Sequence, residues 1–287
     1  MSGQILVATD LSHRSDVAVD RAAQLAQRLA AKLSILHVIE QDQPVRLFET
    51  DTALARAVLE QQAKGLPAGL SVEVLIETGD PFEQIGLVAS EGDYDLIVIG
   101  RHRKRLVRDL FVGTTAERVV WHGIRPVLLV KAESTTPYQR VAIAVDGSET
   151  CAKALRAAKA LGLTNAARVR VVHAHEPFAT AMMAGHSDVR AVADHVDSEL
   201  ASAREDLAKF LHDSGHGELA DTIYIDEGAP ITVLRSFIHD SGTDLLVMGT
   251  HGRTGIGRLM LGSVAEEALR TLDLDILVVP PKSARNR

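Results

Sequence analysis

The residues with the clearest chemical pattern are Gly249, Gly252, Gly255, Gly257, Gly262 and Ser263, strung along one segment between an apolar run and a helical pattern. Glycines in that density let the backbone approach an anion closely, and a helix starting near Ser263 would add unpaired N–H donors and the positive end of its dipole. The chemistry is that of a phosphate cradle. The segment has no Gly-Lys-Ser/Thr tripeptide and so is not a Walker loop, and it lacks the Gly-x-Gly-x-x-Gly spacing of a dinucleotide fingerprint. A carboxylate accompanies it. Asp146, in Ala144-Val145-Asp146-Gly147-Ser148, could accept from an adenine amino group or a ribose hydroxyl, although an Asx-turn or a helix cap also accounts for an Asp there. Ser263 has the same double reading, as an N-cap and as a phosphate donor.

These residues need a frame, and the frame is written twice. Gln4–Ser12 (QILVATDLS) pairs with Arg140–Ser148 (RVAIAVDGS), and Leu36-His37-Val38 with Val172-His173-Ala174, at an offset of 136 residues. Asp95–Gly100 then pairs with Asp244–Gly249, and Pro126–Val130 with Asp275–Val279. A period of about half the chain points to a duplicated domain rather than a solenoid, with residues 131–137 (KAESTTP) as linker. The expected domains are 1–136 and 137–287. Strands are expected near 4–9, 33–39, 70–76, 95–99 and 126–130, and again near 140–145, 168–174, 220–226, 244–249 and 275–279. Several are unbroken Val, Ile and Leu, as a parallel sheet covered on both faces requires. Helices such as Ser15–Ala31 and Val189–Leu211 repeat Ala, Leu and Val every three or four residues. The expected fold class is α/β, with two doubly wound, five-stranded parallel domains. Ligands in such folds sit beyond the carboxyl ends of the strands where strand order reverses, which singles out the loops after the first and fourth strands.

The first half departs from the second. Its matching loop keeps Gly100, Gly113 and Thr114 in register, but Arg103 replaces the middle glycine, and Leu106 and Arg108 stand at the places of Gly255 and Gly257. The expectation is a weakened site, either a solvated loop that has lost its glycines or an anion site gripped by the side chains of Arg101, Arg103, Lys104, Arg105 and Arg108. Asp10 and Val38 would complete it.

Composition narrows the rest. A formal charge of -7 and a basic run without interleaved aromatics argue against nucleic acid as partner. One cysteine, Cys151, rules out an internal disulfide and fits a reducing compartment. It sits at an expected helix start, where the dipole could lower its pKa, or where it serves as a small buried residue. The pairs His173/His175 and His212/His216 lack further ligands at metal-binding spacing, so no metal site is expected, and His37 and His173 read as tucked structural histidines. No run approaches the ~18 apolar residues of a membrane span, and the MSGQILVATD start runs straight into a strand; a cytoplasmic location is expected. No catalytic triad can be assembled, and without a P-loop lysine any phosphoryl-transfer chemistry should be slow.

With those residues in view, Gly249-x2-Gly252-x9-Gly262-Ser263 and Ala144-Val145-Asp146-Gly147-Ser148 resemble the ATP-binding pattern and first-strand signature of the universal stress protein family. The likeness spans nearly the whole chain and implies a tandem, pseudo-dimeric member with an adenine-nucleotide-binding fold. It implies that Asp146 and the backbone of Ala174 meet adenine, that Met248 and Gly249 lie near the ribose, and that Gly252, Gly262, Ser263 and Val264 hold phosphates. It further implies ATP, with Mg²⁺ accompanying it, a regulatory protein partner in a stress response, and association through the last strands, either within a monomeric pseudo-dimer or in a homodimer. Two rival functions fit the same residues: a slow nucleotide hydrolase or phosphotransferase, and a nucleotide-independent scaffold that uses the basic loop 101–108.

Overall fold

A computed structural model describes residues 3–40, 45–101, 115–123, 125–132, 136–166, 168–175, 189–250 and 261–281. The chain divides into two compact units, Met1–Pro137 with Asp273–Arg287, and Tyr138–Leu272. The first runs β1 (Gln4–Thr9), α1 (His13–Leu29), β2 (Lys32–Ile39), α2 (Val45–Gly65), β3 (Val72–Thr78), α3 (Pro81–Glu91), β4 (Leu96–Gly100), α4 (Thr115–His122) and β5 (Val127–Val130). The second runs β6 (Arg140–Ala144), α5 (Glu149–Ala160), β7 (Arg168–His175), α6 (Val189–Asp213), β8 (Ile223–Glu227), α7 (Pro230–Ser241), β9 (Leu245–Gly249) and α8 (Ser263–Thr271). The chain then returns to the first unit as β10 (Asp275–Val279).

Strand order in the first unit is β3-β2-β1-β4-β5-β10, parallel except for β10; in the second it is β9-β6-β7-β8, parallel throughout. Right-handed crossovers place α1 and α2 on one face of the first sheet, and the jump from β3 back past β1 to β4 places α3 and α4 on the other. Both faces are therefore covered. That burial explains the unbroken apolar strands: Ile5, Leu6 and Val7 on β1, Leu96, Ile97 and Val98 on β4, and Leu245, Leu246 and Val247 on β9 are all buried. Among the described residues no helix is long and apolar enough to cross a membrane.

Two strands begin two or more residues later than the sequence pattern suggests. A turn around Gly69, at φ +87°, occupies the start of the expected 70–76 strand, and β3 runs 72–78 instead. The Gly217–Thr222 stretch winds as a 3-10 helix, closed by the Thr222 hydroxyl donating to the Leu219 carbonyl at 2.7 Å, so β8 starts at Ile223.

The last strand is where the repeat and the compact units differ. Sequence pairs β10 with β5 as equivalent final strands; in space they lie side by side and antiparallel, with Leu277 opposite Leu128. Two apolar strands that would otherwise expose sheet edges thus cover each other. A buried charge fixes β10 there. Asp275 is 0% exposed, accepts from the backbone N–H groups of Lys131 and Ala132 at 2.8 and 2.9 Å, and faces the Arg21 guanidinium of α1 at 3.5 Å. Arg21, itself 2% exposed, also donates to the Thr136 carbonyl at 2.6 Å. Removing one member of such a pair strands the other charge in the interior. Asp275→Ala is accordingly expected to lower unfolding stability by about 3–5 kcal/mol in urea titrations; a loss below about 1 kcal/mol would contradict this role for the pair.

In the second unit His216 is 2% exposed, and its Nδ1 has no hydrogen-bond partner among the described residues. Burial pushes its pKa below the ordinary histidine value, the nearby Lys159 and Arg156 charges add to that, and Glu218 opposes them. A depressed folded-state pKa means the unfolded chain takes up the proton first. Stability is therefore expected to fall as pH drops below about 6.5 and to level off beneath the folded pKa. Thermal midpoints of wild type and His216→Leu between pH 7.5 and 5 measure it, and equal acid sensitivity in both would rule out His216 as a source.

Candidate functional site

In the second unit β6 lies between β7 and β9, and strand order reverses around it. The register Ile143↔Val247 on one side and Ala144↔Val172 on the other, extended along the strands, sets Val145 level with Gly249 and His173. Asp146 follows, level with Ala174. The four sequence-expected residues Asp146, Ala174, Met248 and Gly249 thus converge at the carboxyl ends of three adjacent strands. The first unit repeats this arrangement. Thr9 pairs with His37, and Ala8 pairs with Ile99, so Asp10, Val38 and Gly100 occupy the equivalent ends.

Both aspartates are held by the turn that follows them. Asp146 Oδ1 accepts from the Ser148 backbone N–H at 2.9 Å, and Asp10 Oδ1 from that of Ser12 at 3.0 Å. Between each pair stands a residue in the left-handed region, Gly147 at φ 77° and Leu11 at φ 60°. A leucine there is strained by roughly 1–2 kcal/mol, so the surrounding contacts must impose the turn. A serine then takes the N-cap in each: Ser148 of α5 accepts from the Cys151 N–H at 3.2 Å, whereas Ser12 of α1 makes no side-chain cap bond.

A second contact braces each loop from the neighbouring strand. His173 Nδ1 lies 2.7 Å from the Val145 carbonyl, and His37 Nδ1 lies 2.9 Å from that of Thr9. A carbonyl oxygen only accepts, so each Nδ1 carries its proton and donates. The histidines read as structural do have a structural task, tying down the peptide immediately before each aspartate.

Cys151 is not an activated thiol. It is 5% exposed. Burial and the Asp146 carboxylate push its pKa up to about 12, so it stays protonated, the opposite of what the helix dipole alone would do. Its Sγ donates to Asp146 Oδ1 at 2.8 Å and accepts from the Asp146 N–H at 3.4 Å.

The glycine loop closes on itself. Its ends meet where the Gly262 N–H donates to the Thr250 carbonyl at 2.7 Å. Gly262, rather than Ser263, is the N-cap of α8, and Ser263 is its first helical residue. A glycine has no side chain to cap with, and among the described residues no side-chain cap closes this helix start. The first-turn N–H groups of Ser263 and Val264 are thereby presented as anion donors. Gly249 has a packing role that the loop reading does not anticipate. A Cβ there would lie 2.7 Å from Thr150 Cγ2 and 3.4 Å from the Thr150 carbonyl carbon, and one at Gly100 would lie 3.1 Å from the Arg14 carbonyl oxygen. Each of these glycines lets a strand end approach the first turn of the helix facing it. Gly252, Arg103, Gly113 and Thr114 lie outside the described residues, as does the 102–108 part of the basic run; Arg101 pairs with Asp273 at 3.0 Å.

Sequence reading missed one wall of the site. A cavity of about 310 Å³ opens beside Gly147, lined by His173, His175 and the α6 residues Glu199, Asp206 and Phe210, with His175 Nε2 3.4 Å from Glu199 Oε2. Glu199, Asp206 and Phe210 recur at spacings of seven and four along α6, which marks one helix face. Among the described residues no cluster of three or more His, Cys, Asp or Glu could hold a metal.

The universal stress protein family model matches the chain twice, over residues 1–131 and 137–280, and the chain belongs to that family. Universal stress protein E of Escherichia coli (strain K12) is 24% identical over 309 residues, covering 98% of this chain and 95% of that protein. A universal stress protein of Methanocaldococcus jannaschii is 26% identical over 159 residues, which is 47% of this chain but 98% of the relative, so one half here equals one whole protein there. The crystal structure of a universal stress protein from Archaeoglobus fulgidus covers 99% of this chain and 100% of its own at TM-score 0.70 and 21% identity, a likeness of fold.

The packing role of Gly249 carries its own test. Gly249→Ala is expected to cost about 1–3 kcal/mol of stability, the range for overpacking a tight contact. Thr150→Ser, which removes the Cγ2 methyl, should recover part of that loss. An unchanged urea midpoint in Gly249→Ala would show that the close approach is not limiting.

Proposed function

We propose that the second unit binds an adenine nucleotide, ATP, in the crevice around β6, and that occupancy regulates a stress-response interaction with a protein partner. The observation that carries this reading is the convergence of Asp146, Ala174 and Gly249 on three adjacent strand ends at the switch point, with a helix start lacking a side-chain cap one loop away. Family membership adds to it. Phosphates belong at the α8 end, where Ser263 and Val264 offer backbone N–H donors, Gly262, its own N–H held by Thr250, leaves room for close approach, and Gly252 would extend the cradle. The base belongs at the other end, between Asp146 and Ala174, because the carboxylates of Glu199 and Asp206 lining the adjoining cavity would repel phosphate. Mg²⁺ would arrive on the phosphate oxygens, since the described residues offer it no cage.

The first unit keeps the frame and changes the lining. Asp10, Val38 and Gly100 hold the equivalent places, while Arg103 replaces the central glycine. In this reading its nucleotide affinity is weaker, and any anion is gripped by side chains. Heat denaturation of freshly purified protein should release about one ATP per chain. Gly262→Asp should release close to none while remaining folded, because an aspartate N-cap suits the helix but its charge opposes phosphate. Two nucleotides per chain would show that the first unit binds equally well. None, with no binding on adding ATP and Mg²⁺, would overturn the proposal.

A further inference from the structure

Five residues after each switch-point aspartate stands a side chain with a proton to donate: Cys151 after Asp146 and Ser15 after Asp10. The helices that carry them have otherwise diverged, HRSDVAVDRAAQLAQRL in α1 against ETCAKALRAAKA in α5. Yet the contact is the same, Sγ to Asp146 Oδ1 at 2.8 Å and Oγ to Asp10 Oδ1 at 2.7 Å. Both donors are buried, Cys151 at 5% and Ser15 at 5% exposure, while the aspartates reach the crevice mouth.

We infer that Cys151 is a positioning residue for Asp146: its thiol, together with the Ser148 N–H, engages Oδ1 and sets the plane in which the carboxylate meets the base or ribose. The inference rests on the nucleotide reading for its consequence. Two hydrogen bonds to one oxygen restrict the side chain about χ1 and χ2. The sulfur also accepts from the Asp146 N–H, so one residue grips both the backbone and the side chain of the aspartate. A thiol can serve because it stays protonated here, held up by burial and by the carboxylate it serves. Ser15 shows what the same place does with a hydroxyl. Burial raises the Asp10 pKa, but the hydrogen bonds from Ser12 and Ser15 outweigh it and hold the carboxyl below its ordinary value. Ser15 shares its proton with the Ser12 carbonyl at 2.8 Å and accepts from Thr9 Oγ1 at 3.0 Å, so its hold on Asp10 is divided.

The test separates positioning from packing. In the full chain, Cys151→Ala is expected to weaken ATP binding by calorimetry about tenfold, and Cys151→Ser to restore it. In an Asp146→Ala background, Cys151→Ala should change the remaining affinity less than about twofold, since a residue acting through the Asp146 side chain has nothing left to act on. A similar loss in both backgrounds, or no rescue by serine, overturns the inference in favour of packing. A second readout needs no nucleotide. The Asp146 carboxyl, followed by carbon-13 NMR in ligand-free protein, should titrate at higher pH in Cys151→Ala and at its original pH in Cys151→Ser. If wild type fails to bind ATP, the nucleotide reading falls and this titration alone decides the positioning claim; an unmoved titration refutes it.

Discussion

A parallel sheet wound in both directions cannot cover its own middle. Once the chain has run β6, β7 and β8 to one side, a right-handed crossover must carry it back past β6 to start β9, and the loops leaving β6 and β9 part over opposite faces of the sheet. The gap between them follows from chirality and strand order, before any side chain is chosen. Asp146, the Gly249 strand end and the loop leading to α8 lie at that gap because they follow β6 and β9 in the chain. The rest of the candidate site serves to hold those two exits still. His173 ties the peptide before Asp146 to β7, the Asx-turn and Ser148 start α5 at once, and the backbone bond from Gly262 to Thr250 closes the loop that leaves β9.

The duplicated half separates what the fold requires from what the ligand requires. His37, Ser12, Gly100 and a left-handed turn at residue 11 reappear around Asp10, the turn even where leucine must adopt it under strain. Those features belong to the frame. The glycines at 252, 255 and 257 have no counterpart at Arg103, Leu106 and Arg108, so the halves part company in the lining of the anion cradle and not in the scaffold beneath it.

Much of this was legible in the residues. Unbroken Val, Ile and Leu runs marked buried parallel strands, the offset repeat marked the duplication, and Asp146 and Gly249 marked the ends of strands that lie side by side. What escaped was set by contacts between distant residues or by competition between local signals. Thr222 can end a 3-10 turn as readily as continue a strand, which moved the start of β8. Gly262 took the cap that Ser263 was expected to supply, and Gly249 proved to be packed against Thr150. The dipole reading of Cys151 failed because burial and a carboxylate 2.8 Å away outweigh a helix start. Asp275 opens an otherwise apolar strand, and only its meeting with Arg21, remote in sequence, shows why a charge is tolerated there.

The most direct test is hydrogen exchange of the full chain with and without saturating ATP and Mg²⁺, read by peptide mass. The account expects slowed exchange in the segments 145–151 and 261–265 and little change in the equivalent 9–15. Protection equal in both halves would contradict the assignment of the working site to the second unit. No protection in either, at a concentration that saturates any measured binding, would contradict the crevice as the site altogether.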